Sequence, residues 1–170
     1  MGVKRFVAAW GLMVLAFAGW APSAGAIGGG VCRISGRIAF APKSDSAGDW
    51  RIEDGVIDCQ GLLSGGKTRI LGAGPFAGSG SYTALGAGGA CLHQAGTGTL
   101  VYRVPTSGGV IFFSEPVEYT VVGAGALTSN TLRGTFVLVP PYSGDCVTKP
   151  VTGASFASQA VLYRGVEPGV

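Results

Sequence analysis

The strongest constraint on the fold is an alternation of apolar and polar residues with a period of two. Between Cys32 and Phe40, the even-numbered residues are apolar or glycine, and most of the odd-numbered ones are polar. Because successive side chains of a β-strand point to opposite faces, this pattern predicts a half-buried strand. The alternation recurs in 100–104, 117–122 and 132–139, and no segment after residue 26 shows a helical repeat.

Glycine and proline divide these alternating segments into short pieces. The chain of 170 residues contains 31 glycines and 9 prolines, and several short strands bounded by such residues are typical of all-β domains. We therefore predict an antiparallel β-sandwich or barrel of about seven to nine short strands. Asp54-Gly55 interrupts one alternating segment and predicts a glycine bulge inside a single strand. Residues 72–89 fit either a bent strand pair or a loop packed by its aromatics.

The first 26 residues have the three parts of a secretory signal peptide. Lys4 and Arg5 form a positive start, residues 6–20 are uncharged and apolar, and Ala24-Gly25-Ala26 offers small side chains for cleavage. The apolar stretch is shorter than the roughly 20 residues that a membrane-spanning helix needs. We therefore predict cleavage after Ala26, one secreted domain over 27–170 and no stable membrane anchor.

The four cysteines all follow the predicted signal peptide. In an oxidising compartment an even number of cysteines favours disulfides, and three connectivities are allowed. We predict that Cys32 pairs with Cys59 and that Cys91 pairs with Cys146, since each pair brackets a group of strands that resembles one half of the domain. The sequence has no Cys-x-x-Cys pair, so no zinc site is expected.

Charge and composition narrow the range of partners. Lys4 and Arg5 leave with the signal peptide, so the 12 basic residues become 10 against 9 acidic ones. Nucleic acids and anionic lipids require clustered lysine and arginine, whereas the basic residues here are scattered. We expect no nucleic-acid partner. The abundance of alanine, glycine and arginine is typical of a high-GC bacterial genome.

The sequence contains no catalytic constellation that we recognise. His93 is the only histidine, and the serines lack the Gly-x-Ser-x-Gly context of a nucleophile elbow. We interpret His93 as a polar residue at the start of a strand, and we predict neither a cofactor nor a metal. The carboxylates are expected to be solvated charges on loops and strand faces: Asp45, Asp49, Glu53, Asp54, Asp58, Glu115, Glu118 and Asp145.

One segment stands out as a candidate contact loop. Pro140 and Pro141 form a rigid start and Gly144 a turn, so we expect Tyr142 to be held exposed beside Asp145. Most other aromatic residues are predicted to lie in the core.

These features predict a secreted, non-enzymatic β domain with a binding or scaffolding role. Its partner would be an extracellular protein, a peptide or a carbohydrate. Two alternatives stay open. The first is a small secreted hydrolase, similar to a glycosidase, that uses paired carboxylates. The second is a secreted protease inhibitor that presents the loop before Cys146.

Overall fold

The computed structural model describes residues 29–63, 67–85, 93–122, 125–144 and 151–163. These residues form nine strands and no helix, which confirms the all-β prediction. The longest strands have 16 and 17 residues, so they are not short as expected. Within the described ranges, no helix is long and apolar enough to cross a membrane. The strands are β1 (Gly29–Ser44), β2 (Ala47–Leu63), β3 (Thr68–Arg69), β4 (Gly72–Ala84), β5 (His93–Thr106), β6 (Gly109–Val122), β7 (Gly125–Ser129), β8 (Leu132–Ser143) and β9 (Gly153–Tyr163).

All strand pairings in these residues are antiparallel and belong to one sheet. The order is β1-β9-β8-β7-β6-β5-β4-β2-β3, and β1 also pairs with β2. The pairings of eight strands therefore form a cycle, with β3 attached to the end of β2. Because the first and last strands are neighbours, the described strands form one unit and not two halves.

Cys32 and Cys59 are directly opposite one another on β1 and β2 and form a disulfide, as predicted. Both cysteines are buried. In the chain-entropy model, a loop of 27 residues closed in this way stabilises the fold by about 3 to 4 kcal/mol. Cys91 and Cys146 lie outside the described residues.

The predicted glycine bulge is present in β2. The register of β2 shifts between Ile52 and Gly55 against β4, and its pairing with β1 shifts at the same place. A Cβ on Gly36 of β1 would come within 2.8 Å of the Gly55 Cα, so the two strands need glycine at this close approach. Residues 72–89 were predicted to form either a bent strand pair or a loop. They begin with one strand, β4, and residues 86–90 lie outside the described residues.

The buried face of the sheet carries one continuous core. In β1, Cys32, Ile34 and Ile38 are buried while Arg33 and Arg37 are exposed, as the alternation predicts. Neighbouring aromatic rings contact each other with centroids 4.7 to 6.4 Å apart. Each buried aromatic or aliphatic side chain stabilises the fold by about 1.5 to 3 kcal/mol. The rings form a continuous series: Phe113, Tyr102, Phe76, Phe156, Phe136, Tyr119 and Trp50.

Candidate functional site

A groove of about 710 Å³ crosses the exposed face of the sheet over four neighbouring strands, β1, β2, β4 and β5. Its walls are small or hydroxyl-bearing side chains together with two charged ones. The exposed side chains that line it are Ala39, Ala41, Asp49, Arg51, Ser79, Ser81 and Thr97.

The groove is open because most of the exposed side chains at this level are short, and glycines on the buried face let the Trp50 ring pack against the main chain. The pairings place Trp50 of β2 opposite Gly80 of β4, and Gly80 opposite Gly98 of β5. A Cβ on Gly98 would meet the six-membered part of the Trp50 ring at 2.5 Å. The Trp50 Nε1–H donates a hydrogen bond to the Thr97 carbonyl oxygen at 3.3 Å. The indole therefore lies directly beneath the main chain that floors the groove.

Both charged residues of the groove form exposed ion pairs. Lys43 Nζ lies 2.7 Å from an Asp49 carboxylate oxygen, and Arg51 Nε lies 2.9 Å from a Glu53 carboxylate oxygen. The Arg51 side chain is 71% exposed, and the Glu53 contact occupies only its Nε. Because only Nε is engaged, the Arg51 guanidinium retains donors for a ligand. The ion pair itself contributes only about 0 to 1 kcal/mol to stability, as exposed pairs of this kind do.

A second polar region lies on the buried face and corrects a prediction. Glu115 was expected to be solvated, but its exposed fraction is only 5%. Its carboxylate accepts hydrogen bonds from the Tyr102 hydroxyl at 2.6 Å and from the Ser129 hydroxyl at 2.7 Å. Thr131 contributes two more, from its backbone N–H at 3.0 Å and its hydroxyl at 2.8 Å. Buried charges require such partners, and we call these four residues the Glu115 cluster.

The Glu115 cluster connects three parts of the sheet by hydrogen bonds. Tyr102 comes from β5, Glu115 from β6, and Ser129 and Thr131 from the end of β7 and the turn that follows it. Burial, followed by the hydrogen bond to Glu115, raises the pKa of the Tyr102 phenol well above its usual value of 10. The ring of Phe113 stacks on Tyr102 with centroids 4.7 Å apart. This packing fits a structural role for the Glu115 cluster.

The predicted contact segment is placed differently from the expectation. Pro140, Pro141 and Tyr142 belong to β8, and both prolines are exposed. Tyr142 is half-buried because its ring packs against the core and its hydroxyl donates to the Leu138 carbonyl oxygen at 3.4 Å. Tyr142 was predicted to be exposed on a loop, whereas it is half-buried and belongs to a strand. Asp145 lies outside the described residues, so the predicted contact role is not tested.

The other residues considered from the sequence do not converge on one site. His93 is the first residue of β5 and is exposed, as expected of a polar residue at a strand start. Asp49 and Glu53 lie on either side of Arg51, and each is engaged in its own ion pair. In the part of the chain that the structure describes, no group of three His, Cys, Asp or Glu residues could hold a metal ion. Phe112 is exposed, unlike most of the aromatics.

Little in the local sequence pattern predicts the groove. Its lining comes from four strands, and only the pairing of those strands brings the serines of β4 beside Arg51 and Thr97. The alternation Ser79-Gly80-Ser81 and Thr97-Gly98-Thr99 is the one local sign, because it places hydroxyls on the exposed face and glycines on the buried face.

No family model matches this chain, and no curated protein and no solved structure matches it.

Proposed function

We propose that this chain is an exported, non-enzymatic β domain that binds a carbohydrate in the groove around Arg51. The observation that supports this most is the lining of the groove, where Ser79, Ser81 and Thr97 present hydroxyls beside Arg51 and Asp49. Sugar hydroxyls both donate and accept hydrogen bonds, and so do serine and threonine hydroxyls. Arginine supplies only donors and a carboxylate only acceptors. The groove therefore offers both kinds of partner to an oligosaccharide.

The shape of the sheet supports an external site. The cycle of eight pairings fits a small barrel, and the interior of an eight-stranded barrel either is filled by its own side chains or holds one small ligand. The core series of seven aromatic rings occupies that buried side. We propose that the ligand binds outside the barrel, in the groove, and not within it.

Export places the groove where glycans are found. We propose cleavage after Ala26, so that the secreted chain begins at Ile27. Mass spectrometry of the secreted protein tests this step. Protein that retains Met1 and stays in the cytoplasm would contradict it.

Trp50 is a built-in probe for binding. The chain has three tryptophans, Trp10, Trp20 and Trp50, and the first two precede Ile27. Fluorescence of the secreted form therefore reports on the indole beneath the groove. Titration with chito-, cello- and malto-oligosaccharides of equal length should give a saturable change with at least one of them, and calorimetry should give the same Kd.

A matched pair of variants identifies the site. Arg51→Ala should weaken binding about tenfold or more, the loss expected for a hydrogen bond to a charged group. Arg133→Ala removes another exposed arginine, from β8, and should leave binding unchanged. Saturable binding of an unstructured peptide but of no oligosaccharide would contradict the proposal. So would cleavage of the oligosaccharide, which indicates the hydrolase alternative.

A further inference from the structure

The first half of β6 has only one neighbouring strand. β6 pairs with β5 along its whole length, from Gly109 to Val122. On its other side, β7 pairs only with the residues from Val117 to Thr120. No other strand in the described part of the chain pairs with residues 109–116. Among the described residues this segment is therefore a free sheet edge, and the backbone N–H and C=O groups that point away from β5 are available for another strand.

The free edge is uncharged and apolar over most of its length. Residues 109–114 read Gly-Val-Ile-Phe-Phe-Ser and contain no lysine, no acidic residue and no proline. Val110 is 65% exposed and Phe112 is 58% exposed. Proteins usually protect an edge with charges, proline or a bulge. Residues 109–114 have none of these devices, and only the last two residues of the edge, buried Glu115 and Pro116, depart from this pattern. Such an edge favours pairing with another strand.

The two ends of the free edge carry opposite charges. At the Gly109 end, Ser107 N–H donates to the Arg69 carbonyl oxygen at 2.8 Å, which fixes exposed Arg69 and its neighbour Lys67 beside the β5–β6 turn. Two residues beyond the other end, where β7 already pairs with β6, Glu118 is exposed. The ion pairs found in the described residues involve neither Arg69 nor Glu118. The edge is therefore flanked by positive charge at its start and by negative charge beyond its end, while in the middle the Arg103 guanidinium of β5 lies over the Phe112 ring, 5.9 Å from its centroid.

We propose that two copies of this chain associate by antiparallel pairing of their free β6 edges. An antiparallel arrangement about a two-fold axis places Glu118 of each copy near Lys67 and Arg69 of the other, whereas a parallel arrangement would place like charges together. A two-fold axis makes the contact self-complementary, so one surface serves both copies. The pairing also covers Val110 and Phe112 and continues the sheet from one copy into the next.

The oligomeric state of the secreted, disulfide-bonded protein tests this proposal. Sedimentation equilibrium and light scattering should give twice the mass of the 144-residue chain, with dissociation on dilution. Phe112→Lys should give a monomer, because it places a charge in the middle of the contact. Val31→Lys is the matched control, since Val31 is 62% exposed on β1 and away from β6. It should remain dimeric.

A charge exchange tests the antiparallel arrangement independently of Phe112. Glu118→Lys should weaken the dimer about tenfold, because it faces the basic end of the other copy in two symmetric places. Adding Lys67→Glu and Arg69→Glu should restore the dimer. Circular dichroism verifies that each variant is folded. A wild-type protein that is monomeric up to millimolar concentration would overturn the proposal, and so would a dimer that neither Phe112→Lys nor Glu118→Lys weakens.

Discussion

Two regions of the buried face are filled in opposite ways. Around Trp50, an aromatic ring packs directly against the backbone of glycines in β4 and β5, and only main chain separates it from the groove. In the Glu115 cluster, a carboxylate is surrounded by hydroxyl and N–H donors, and the residue is only 5% exposed. The aromatic series of the core joins the two regions, since it runs from Tyr102 to Trp50.

The comparison shows how differently one sheet responds to change at its two regions. The region of Trp50 is stabilised by apolar packing and tolerates no added volume, because the glycines leave no free space. The Glu115 cluster is stabilised by complete pairing of polar groups, so it should tolerate no loss of a partner. We therefore expect small-to-large substitutions to be harmful in the first region and removal of a polar group to be harmful in the second.

The largest effect is expected for Glu115→Ala. This change removes the acceptor of four hydrogen bonds and leaves a buried cavity. The Ser129 hydroxyl can still donate to the Leu132 carbonyl oxygen and the Tyr102 and Thr131 hydroxyls can bond to each other, but the Thr131 N–H loses its partner. We expect a loss of about 3 kcal/mol in the free energy of unfolding. Urea denaturation monitored by Trp50 fluorescence measures the loss. Asp58→Ala removes an exposed acid of β2, away from the proposed dimer contact, and should change the value by less than about 0.5 kcal/mol. Equal effects of the two substitutions would show that Glu115 is not a buried, paired carboxylate.

A smaller effect is expected for Gly98→Ala. The new Cβ would clash with the Trp50 ring and with the Ser79 carbonyl oxygen, and such overpacking costs about 1 to 3 kcal/mol. Gly108→Ala is the matched control, because the nearest atoms to its Cβ would lie 3.9 Å away. It should be neutral, or stabilising by up to about 1 kcal/mol. A stable Gly98→Ala variant with unchanged Trp50 emission would contradict the close packing of indole and glycine.

The smallest effect on the free energy of unfolding is expected at alkaline pH. Burial raises the pKa of Tyr102 and of Tyr119 well above the usual 10, and both phenols therefore stay neutral in the folded chain. Below pH 10 neither state ionises, so stability does not depend on these groups. Above pH 10 the unfolded chain loses the protons first, and each tyrosine lowers the free energy of unfolding by about 1.4 kcal/mol per pH unit.

Tyr119→Phe separates this pH effect from a loss of contacts. The Tyr119 hydroxyl has no hydrogen-bond partner among the residues that the structure describes, so its removal should change stability little at pH 7. Between pH 10 and pH 11, the variant should lose less stability than the wild type. Denaturant midpoints at the two pH values measure the difference. Identical pH dependence of the two proteins would show that Tyr119 ionises normally in the folded state.

The sequence predicted the local features of the fold more readily than the non-local ones. Alternation located the strands, and Asp54-Gly55 located the bulge, because both depend on neighbouring residues. The pairing of β1 with β9 depends on residues more than 100 positions apart, so no local pattern predicts it. Glu115 was misassigned because its donors Ser129 and Thr131 come from another strand and its turn. The groove was missed for the same reason.

The central claim is that the ligand binds in the groove above Trp50 and not at the Glu115 cluster, and its most direct test is to map ligand binding on both regions in one experiment. NMR spectra of the labelled, secreted protein should be recorded with the oligosaccharide that gives the strongest fluorescence response. Binding in the groove should change the chemical shifts of the Arg51, Gly80 and Gly98 amides and of the Trp50 indole N–H. The amides of Thr131 and Leu132 in and beside the Glu115 cluster should not move. Shifts centred on Thr131, or on the β8 segment around Tyr142, with none at Gly80 and Gly98 would contradict it.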